Sequence, residues 1–475
     1  MNKLTLFLLP VALAAGGCRT TSTQTSQSAP TAAVDTIAKQ PAATDSAVRP
    51  ATHELPLLQP GDSQTPFSLP VNSDPVAPIA AATAELSLST LEQLALANNP
   101  TIGQADARVR ALRGRWLQAG LPPNPTAGYL ATEIGNEGKA GQQGGYVGQD
   151  FVTGGKLRLN RAVIAQEIQR AEQEQAAMQL RVLTDVRKAY YAALLAQRRT
   201  DLAAELSRVS TRAAAASQEL FDVAGDIPRP ALLQTQIEQQ NATIFVQTAE
   251  NERQAARRNL SAVVGSNLSD ARLSGEVTQL PALLNWEEQL ARITATSPEM
   301  AAAFANVARA QAALQRACVE PVPDVTTQFI VQYDNATEDT VTGVQVGMPL
   351  PIWNRNQGGI RQAEAEITEA RRNADRVELD LKRRLATAFQ AYATARSQAE
   401  IYSGQILPKA QESHELVQRG YTLGEIGYLD YLSAQRTYSQ TNLAYLEALS
   451  TLWANWNEIE GLLLSGSLSA GQQQP

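Results

Sequence analysis

From Lys156 to Val223 the chain contains neither proline nor glycine, and Ala, Gln, Arg, Glu and Leu dominate the composition. Such a stretch reads as one helix of about 100 Å, far longer than a helix of an ordinary globular domain. Few folds accommodate a rod of this length, and a second feature narrows them further: the chain repeats itself. Asn99-Pro100 returns as Ser297-Pro298, and Pro123 and Pro125 return as Pro321 and Pro323. Val147-Gly148 returns as Val346-Gly347, and Ala224-Gly225-Asp226-Ile227 as Leu423-Gly424-Glu425-Ile426. These landmarks keep one order at an offset of about 198 residues, which marks a duplicated structural unit and not a solenoid of short repeats.

Each unit predicts the same series of elements. A helix from Leu88 to Ala119 stops at Pro122-Pro123, where proline breaks the helical ladder. Thr126–Ile134 and Gly145–Val152 read as strands around a glycine-rich loop from Gly135 to Gly144, and the long helix follows. A glycine turn then leads into a helix from Pro230 to Val264. The second unit predicts a helix from Leu283 to Ala317, strands Val325–Tyr333 and Val341–Leu350, and helices Gly359–Arg419 and Leu429–Leu463. Gly404 and Pro408 predict a kink in the first of these, which its counterpart lacks. The expected class is mainly α with a small β part.

Small residues such as Ala189, Ala192, Ala193 and the run Ala213–Ala216, set among Arg, Gln and Glu, suit coiled-coil packing with a wide face left to water. A fibrous rod would have the same composition, but it would have no strand hairpins at equivalent places in both units. Strands of nine to eleven residues match a tilted crossing of a bilayer. Four are too few to close a barrel, and an open edge in lipid would leave backbone groups unsatisfied. Three copies would supply twelve strands, with the helices continuing as a tube below. Along these strands the larger apolar residues Tyr129, Ile134, Tyr146, Phe151, Phe329, Ile330 and Tyr333 alternate only weakly.

The ends lie outside the duplicated fold. Met1–Lys3 and the apolar stretch Leu4–Ala15 read as an export signal over residues 1–17, too short to span a bilayer. Leu13–Cys18 resembles a bacterial lipobox with Ala15 in place of the usual Leu. That resemblance implies acylation of Cys18, and Arg19 after it implies sorting to the outer membrane. An ordinary signal cut near Ala15 is the alternative. Residues 18–84 are rich in Thr, Ser, Ala, Pro and Gln, with no Phe, Trp or Tyr before Phe67, and predict a disordered tether. Residues 465–475 have the same character. The two units therefore occupy residues 85–280 and 281–464.

Chemistry is sparse. Apart from Cys18 the only cysteine is Cys318, which reads as a small buried hydrophobe. Of two histidines, His53 lies in the tether and His414 stands alone on a helix, so no Cys/His/carboxylate cluster has metal-ligand spacing. Four methionines make no thioether ladder. Gly155-Lys156 is no phosphate loop, because position 150 is Asp and Leu157 replaces the required hydroxyl. Most carboxylates share helical faces with Arg, where solvated pairs are the default, which disfavours an envelope hydrolase. A net charge of −7 leaves no footprint for nucleic acid. No catalytic residue, cofactor or resident metal is expected.

Residues 85–465 resemble the TolC family of outer-membrane efflux proteins in their duplication and helix–hairpin–helix order. Three segments resemble the branch typified by the outer-membrane component of cobalt–zinc–cadmium efflux systems: Ala119–Pro125 (AGLPPNP), Gly148–Lys156 (GQDFVTGGK) and Pro349–Gly358 (PLPIWNRNQG). The resemblance implies a homotrimer with an α-helical tube and a twelve-stranded transmembrane β-barrel in outer-membrane lipid. It implies a periplasmic adaptor at the helical tips and an inner-membrane transporter of the RND type. Pro122, Pro123, Gly154, Gly155, Pro349, Pro351, Gly358 and Gly359 would then be hinges between barrel and tube. The tips would hold Gly225, Asp226, Gly424, Glu425 and Asp430, with Asp430 of three chains forming an acidic, cation-favouring ring. Ser433 stands where the family often has a second Asp, and Ala231 stands opposite Asp430 in the first unit. Helix capping is the other role open to Asp430. The branch implies divalent heavy-metal cations as cargo; drugs, solvents or secreted proteins are the alternatives, and a structural envelope lipoprotein is the reading from a different class.

Overall fold

The computed structural model describes residues 86–135, 137, 139–224, 227–268, 272–423 and 425–469. The signal segment, Cys18 and the tether lie outside these residues, as do Gly225, Asp226 and Gly424. The described chain begins where Leu86 forms a parallel bridge to Leu273.

Proline at a first helical position divides each expected first helix in two, and in the first unit a side chain also caps the break. Helices α1 (Leu88–Asn98) and α2 (Pro100–Gln118) meet at Asn99. Asn99 is extended, and its Oδ1 accepts the Thr101 N–H at 3.0 Å while its Nδ2 donates to the Val263 carbonyl at 2.7 Å. Pro100 occupies the first helical position, where its missing N–H costs nothing. In the second unit α5 (Trp286–Thr296) and α6 (Pro298–Val319) break at Ser297-Pro298, where Ser297 is extended but its side chain makes no capping hydrogen bond. Each single helix expected from the sequence is therefore two.

The strands are β1 (Thr126–Gly135), β2 (Ala140–Phe151), β3 (Val325–Asp334) and β4 (Asp339–Gly347). They form one antiparallel sheet in the order β1-β2-β3-β4. β2 begins earlier than expected, because Gly141 and Gly144 belong to the strand and not to a loop. Gly141 takes φ +118° at the bulge between Thr132 and Gly135, and a Cβ on Gly144 would run into the Val331 carbonyl.

Directly opposed residues of an antiparallel pair share a face. Ala127, Val147, Phe329 and Val344 are opposed across all four strands, and Tyr129, Gly145, Val331 and Thr342 form the next row on the same side. Phe151, Tyr333 and Val346 share that side through their own pairings. The other side carries Thr126, Gly148, Gln328 and Gln345, with Gly144, Gln332, Gln142 and Asp334. One face is apolar and aromatic; the other is amide-, hydroxyl- and glycine-rich. The weak alternation in sequence has a simple cause. Tyr146 and Ile330 oppose each other on the polar side, and the Tyr146 ring covers Gly128, whose Cβ would lie 2.5 Å from it.

Each strand continues into one helix. α2 leads into β1, β2 runs into α3 (Lys156–Glu219), α6 leads into β3, and β4 runs into α7 (Gln357–Ile401). α2 packs on α3, α3 on α6 and α6 on α7, so the helical wall repeats the strand order. A π-helical turn at Leu220–Ala224 precedes the first tip, beyond which α4 (Arg229–Val264) returns. The expected kink near Gly404 is a second π-helical turn, Tyr402–Ile406, with Pro408 early in α8 (Leu407–Thr422). α9 (Tyr428–Glu460) packs on α7, α8 and α3.

The main core lies where the short helices and the ends of α4 and α9 cover the middle of α3 and α7. Leu91, Leu194, Leu260, Ile293, Leu381, Leu385, Leu449 and Leu452 are fully buried there, and Tyr191 stacks on Trp453 at 4.0 Å. Residues 465–469, expected in the unstructured tail, are instead held. Asp185 accepts the N–H groups of Gly466 (2.9 Å) and Ser467 (2.6 Å) and the Ser467 hydroxyl. No described helix is long and apolar enough to cross a membrane.

Candidate functional site

At the second tip, the last turn of α8 closes through the Gly420 carbonyl, which accepts from Glu425 N–H (2.8 Å) and Ile426 N–H (3.2 Å). Ile426 folds onto Gly420, where a Cβ would stand 2.5 Å from its Cδ1. A larger residue at 420 would have to displace the end of the Ile426 side chain. Gly427, in extended conformation, is the N-cap residue of α9, and no side chain caps it. Asp430 is not the cap. It sits in the first turn of α9, exposed, with its N–H donating to the Gly427 carbonyl at 3.2 Å. A carboxylate in that turn is favoured by the positive end of the helix dipole. Glu425 is also exposed, so the turn presents two carboxylates to solvent.

The seam behind this turn is aromatic. Tyr421 stacks on Tyr431 (5.2 Å, 11°), Tyr431 lies 6.0 Å from His414, and His414 stacks on Tyr438 (5.3 Å, 19°). His414, read from sequence as solitary, is the centre of a ladder. The available signal was heptad spacing: seven residues separate His414 from Tyr421 on α8 and Tyr431 from Tyr438 on α9. Burial pushes the His414 pKa below its ordinary value against a weaker opposing effect of Glu415, so the imidazole is neutral at neutral pH. Burial, with Tyr421 adding, pushes the Tyr431 phenol up. Ala231, opposite Asp430 in the first unit, begins a seam lined by Leu232 instead. The two hairpins are tied by an ion pair between Arg436 of α9 and Glu238 of α4.

At the junction of sheet and wall, Gly154 and Gly155 both take left-handed conformations (φ +65° and +69°), and Gly155 is the N-cap residue of α3. The turn presses Gly154 against Val322, where a Cβ would lie 3.1 Å from the valine. Asp324 accepts the Thr153 N–H at 2.8 Å and the Lys156 ammonium at 3.0 Å. Lys156 is 7% exposed at its side chain. Burial alone would raise the Asp324 pKa, but the Thr153 N–H and the Lys156 charge outweigh it and hold the carboxyl below its ordinary range. In the second unit the sharp turn falls elsewhere. Gly358 and Gly359, expected as hinges, are ordinary residues of α7, and Asn356 takes the left-handed position (φ +57°) as N-cap residue. Asn tolerates that conformation better than most side chains, and here its amide also donates to the Ala317 carbonyl at 2.9 Å. Gly359 serves a different end, since its missing Cβ leaves room for the Asn356 side chain. Pro122 and Pro123 follow α2, and Pro349 and Pro351 follow β4, as connectors.

Asp324→Ala is expected to cost about 1–2 kcal/mol, because Lys156 is left buried without its counter-charge while Asp324 itself is partly solvated. Asp324→Asn should cost less, since its amide oxygen still accepts from Thr153. The folded-state pKa of Asp324 is depressed, so its contribution is complete above the unfolded-state pKa and fades as pH falls through the folded one. Denaturation midpoints of wild type and both variants across acidic pH test this. Equal stability of the alanine variant would show the clasp to be dispensable.

Among the described residues no group of three or more His, Cys, Asp or Glu side chains could hold a metal ion.

A family model described as outer membrane efflux protein matches residues 91–266 and 290–463, one segment in each unit. The cobalt-zinc-cadmium resistance protein CzcC of Cupriavidus metallidurans is 27% identical over 381 residues, covering 80% of this chain and 90% of that protein. Among solved structures, a membrane protein from Pseudomonas aeruginosa superposes with a TM-score of 0.68 at 18% identity, over 79% of this chain and 92% of that one. CusC, whose structures concern folding and transmembrane channel formation, gives 0.66 at 19%, over 81% and 93%. At such identities the structural likenesses establish the fold.

Proposed function

The chain belongs to the outer membrane efflux protein family, and from that premise we propose that it is the passive exit duct of a tripartite efflux pump, exporting divalent heavy-metal cations. One observation carries the duct: a four-stranded sheet, apolar on one face and polar on the other, has both edge strands unpaired within the chain. An apolar face suits lipid, a polar face suits a water-filled lumen, and bare edges in lipid demand closure by further copies. Three copies close a twelve-stranded barrel, and because each strand continues into a wall helix, the barrel opens into a helical tube of the same symmetry. A lipid on Cys18 anchors the trimer in the outer membrane.

The cargo reading is supported by the likeness to a cobalt-zinc-cadmium resistance protein. The chain needs no reaction centre for this task and is not an enzyme; energy and substrate choice come from an RND-type inner-membrane transporter joined through a periplasmic adaptor at the tips. Asp430 and Glu425 line the aperture, where three copies of each raise the local cation concentration.

Full-length protein in planar bilayers tests the duct and its aperture together. Wild type should conduct with cation preference, and Asp430→Ala should lose much of that preference while still conducting. Absence of any conductance would overturn the duct. An Asp430→Ala channel indistinguishable from wild type would remove Asp430 from the aperture. Deletion of the gene should sensitise the host to zinc, cadmium or cobalt salts; unchanged tolerance with sensitivity to another toxin would reassign the cargo.

A further inference from the structure

At the base of the sheet the connectors of the two units meet within the chain, and that junction is a template for the corresponding junction between chains. Within the chain, the connector descending from β2 (Val152–Gly155) lies against the connector ascending to β3 (Glu320–Asp324). Thr153 and Lys156 bond Asp324, and Gly154 packs on Val322. Closing β4 of one copy against β1 of the next would bring the connector descending from β4 beside the one ascending to β1 in the same way.

The second junction lacks the chemistry of the first. By helix start, Gln357 corresponds to Lys156, and by the proline landmarks Thr126 corresponds to Asp324, so no charged pair can form there. The descending connector is longer and apolar instead. Met348, Leu350 and Ile352 are more than half exposed, and Trp353 is 87% exposed. The loop is nevertheless pinned to its own chain. Trp353 C=O accepts from the Gln357 amide at 3.0 Å, Ile352 N–H donates to the Leu350 carbonyl at 2.9 Å, and Asn356 holds the Ala317 carbonyl. The indole is thus presented on an ordered turn with nothing over it. At the opposite edge, the end of α2 exposes Leu117 and part of Trp116, and the connector from it to β1 exposes Leu121.

We infer that the connector Met348–Asn356 is an intersubunit latch, with Trp353 as its anchor, and that its partner is the segment Trp116–Leu121, the end of α2 and the start of its connector to β1, in a second copy of this chain. The inference rests on the trimeric reading above. At the base of the sheet an ionic clasp joins the connectors within a chain, and an apolar one joins those of neighbouring chains. The division suits assembly: the apolar latch is water-exposed in a lone chain and gains its stabilisation only on closure, whereas the ionic clasp is complete before it. A preordered tryptophan loses little freedom when it seats, which favours it as an anchor.

A photo-cross-linking amino acid in place of Trp353, in the full-length chain in a bacterial outer membrane, tests the latch. The expected product joins two copies, with the link mapping to residues 116–121 of the neighbour. Trp353→Ala should raise the concentration for half-assembly of detergent-extracted trimer about tenfold or more, and Trp353→Phe by less. Trimers whose probe labels only lipid, or only its own chain, would overturn the latch and leave the trimer standing. A chain found monomeric in the membrane by native mass measurement would overturn both.

Discussion

Val344→Arg is expected to prevent assembly of the protein in the outer membrane, while Gln345→Arg, one residue on, is expected to be tolerated. Val344 is 74% exposed, lies near the middle of β4 and is opposed to Phe329, which is in turn opposed to Val147. That row belongs to the apolar face. An arginine there, at barrel mid-height, costs about 2–4 kcal/mol per copy, and closure of three copies would bury the penalty three times over. Gln345 is opposed to Gln328 and through it to Gly148, on the face that would meet water. Recovery of trimer in outer-membrane fractions, compared for the two variants, measures the difference. Equal recovery would show that the apolar face does not meet lipid.

The second large effect is expected in the main core. Leu385 of α7 is fully buried in a cluster with side chains from α1, α3, α4, α5 and α9. Leu385→Ala removes buried methyl groups and leaves a cavity that long, mutually braced helices cannot relax to fill, so a loss of about 2–5 kcal/mol is expected. Arg372→Ala on the same helix breaks a water-exposed ion pair with Asp375 and should stay within about 0.5 kcal/mol of wild type. Chemical denaturation followed by helical signal reads both. Similar midpoints for the two variants would mean that the cluster does not hold the repeats together.

Much of this was legible in sequence because its causes are local. Absence of proline and glycine from Lys156 to Val223 is a statement about successive residues, and so is helix continuity. The errors arose where a local signal had two readings. Asn99-Pro100 and Ser297-Pro298 were visible as repeat landmarks, yet proline at a first helical position also starts a helix, and it does so here. Gly358-Gly359 matched the Gly154-Gly155 hinge in type, but the left-handed turn fell to Asn356, whose side chain has a carbonyl to hold on α6. Residues 465–469 have a tail-like composition, yet Asp185, far away in sequence, holds them.

The candidate site divides along the same line. Sequence alone established the duplication, the long rods and four strands of membrane-crossing length, since each follows from spacing and residue type, whereas the acidic residues at the glycine turns were assigned to the tips by resemblance. Which face of the sheet is apolar was decided only by the tertiary structure, because a register shift of one residue would exchange the faces. The same holds for the His414 ladder, the Lys156–Asp324 clasp and the uncovered Trp353. Each depends on which distant side chain arrives opposite, and packing between elements settles that, whereas local spacing does not.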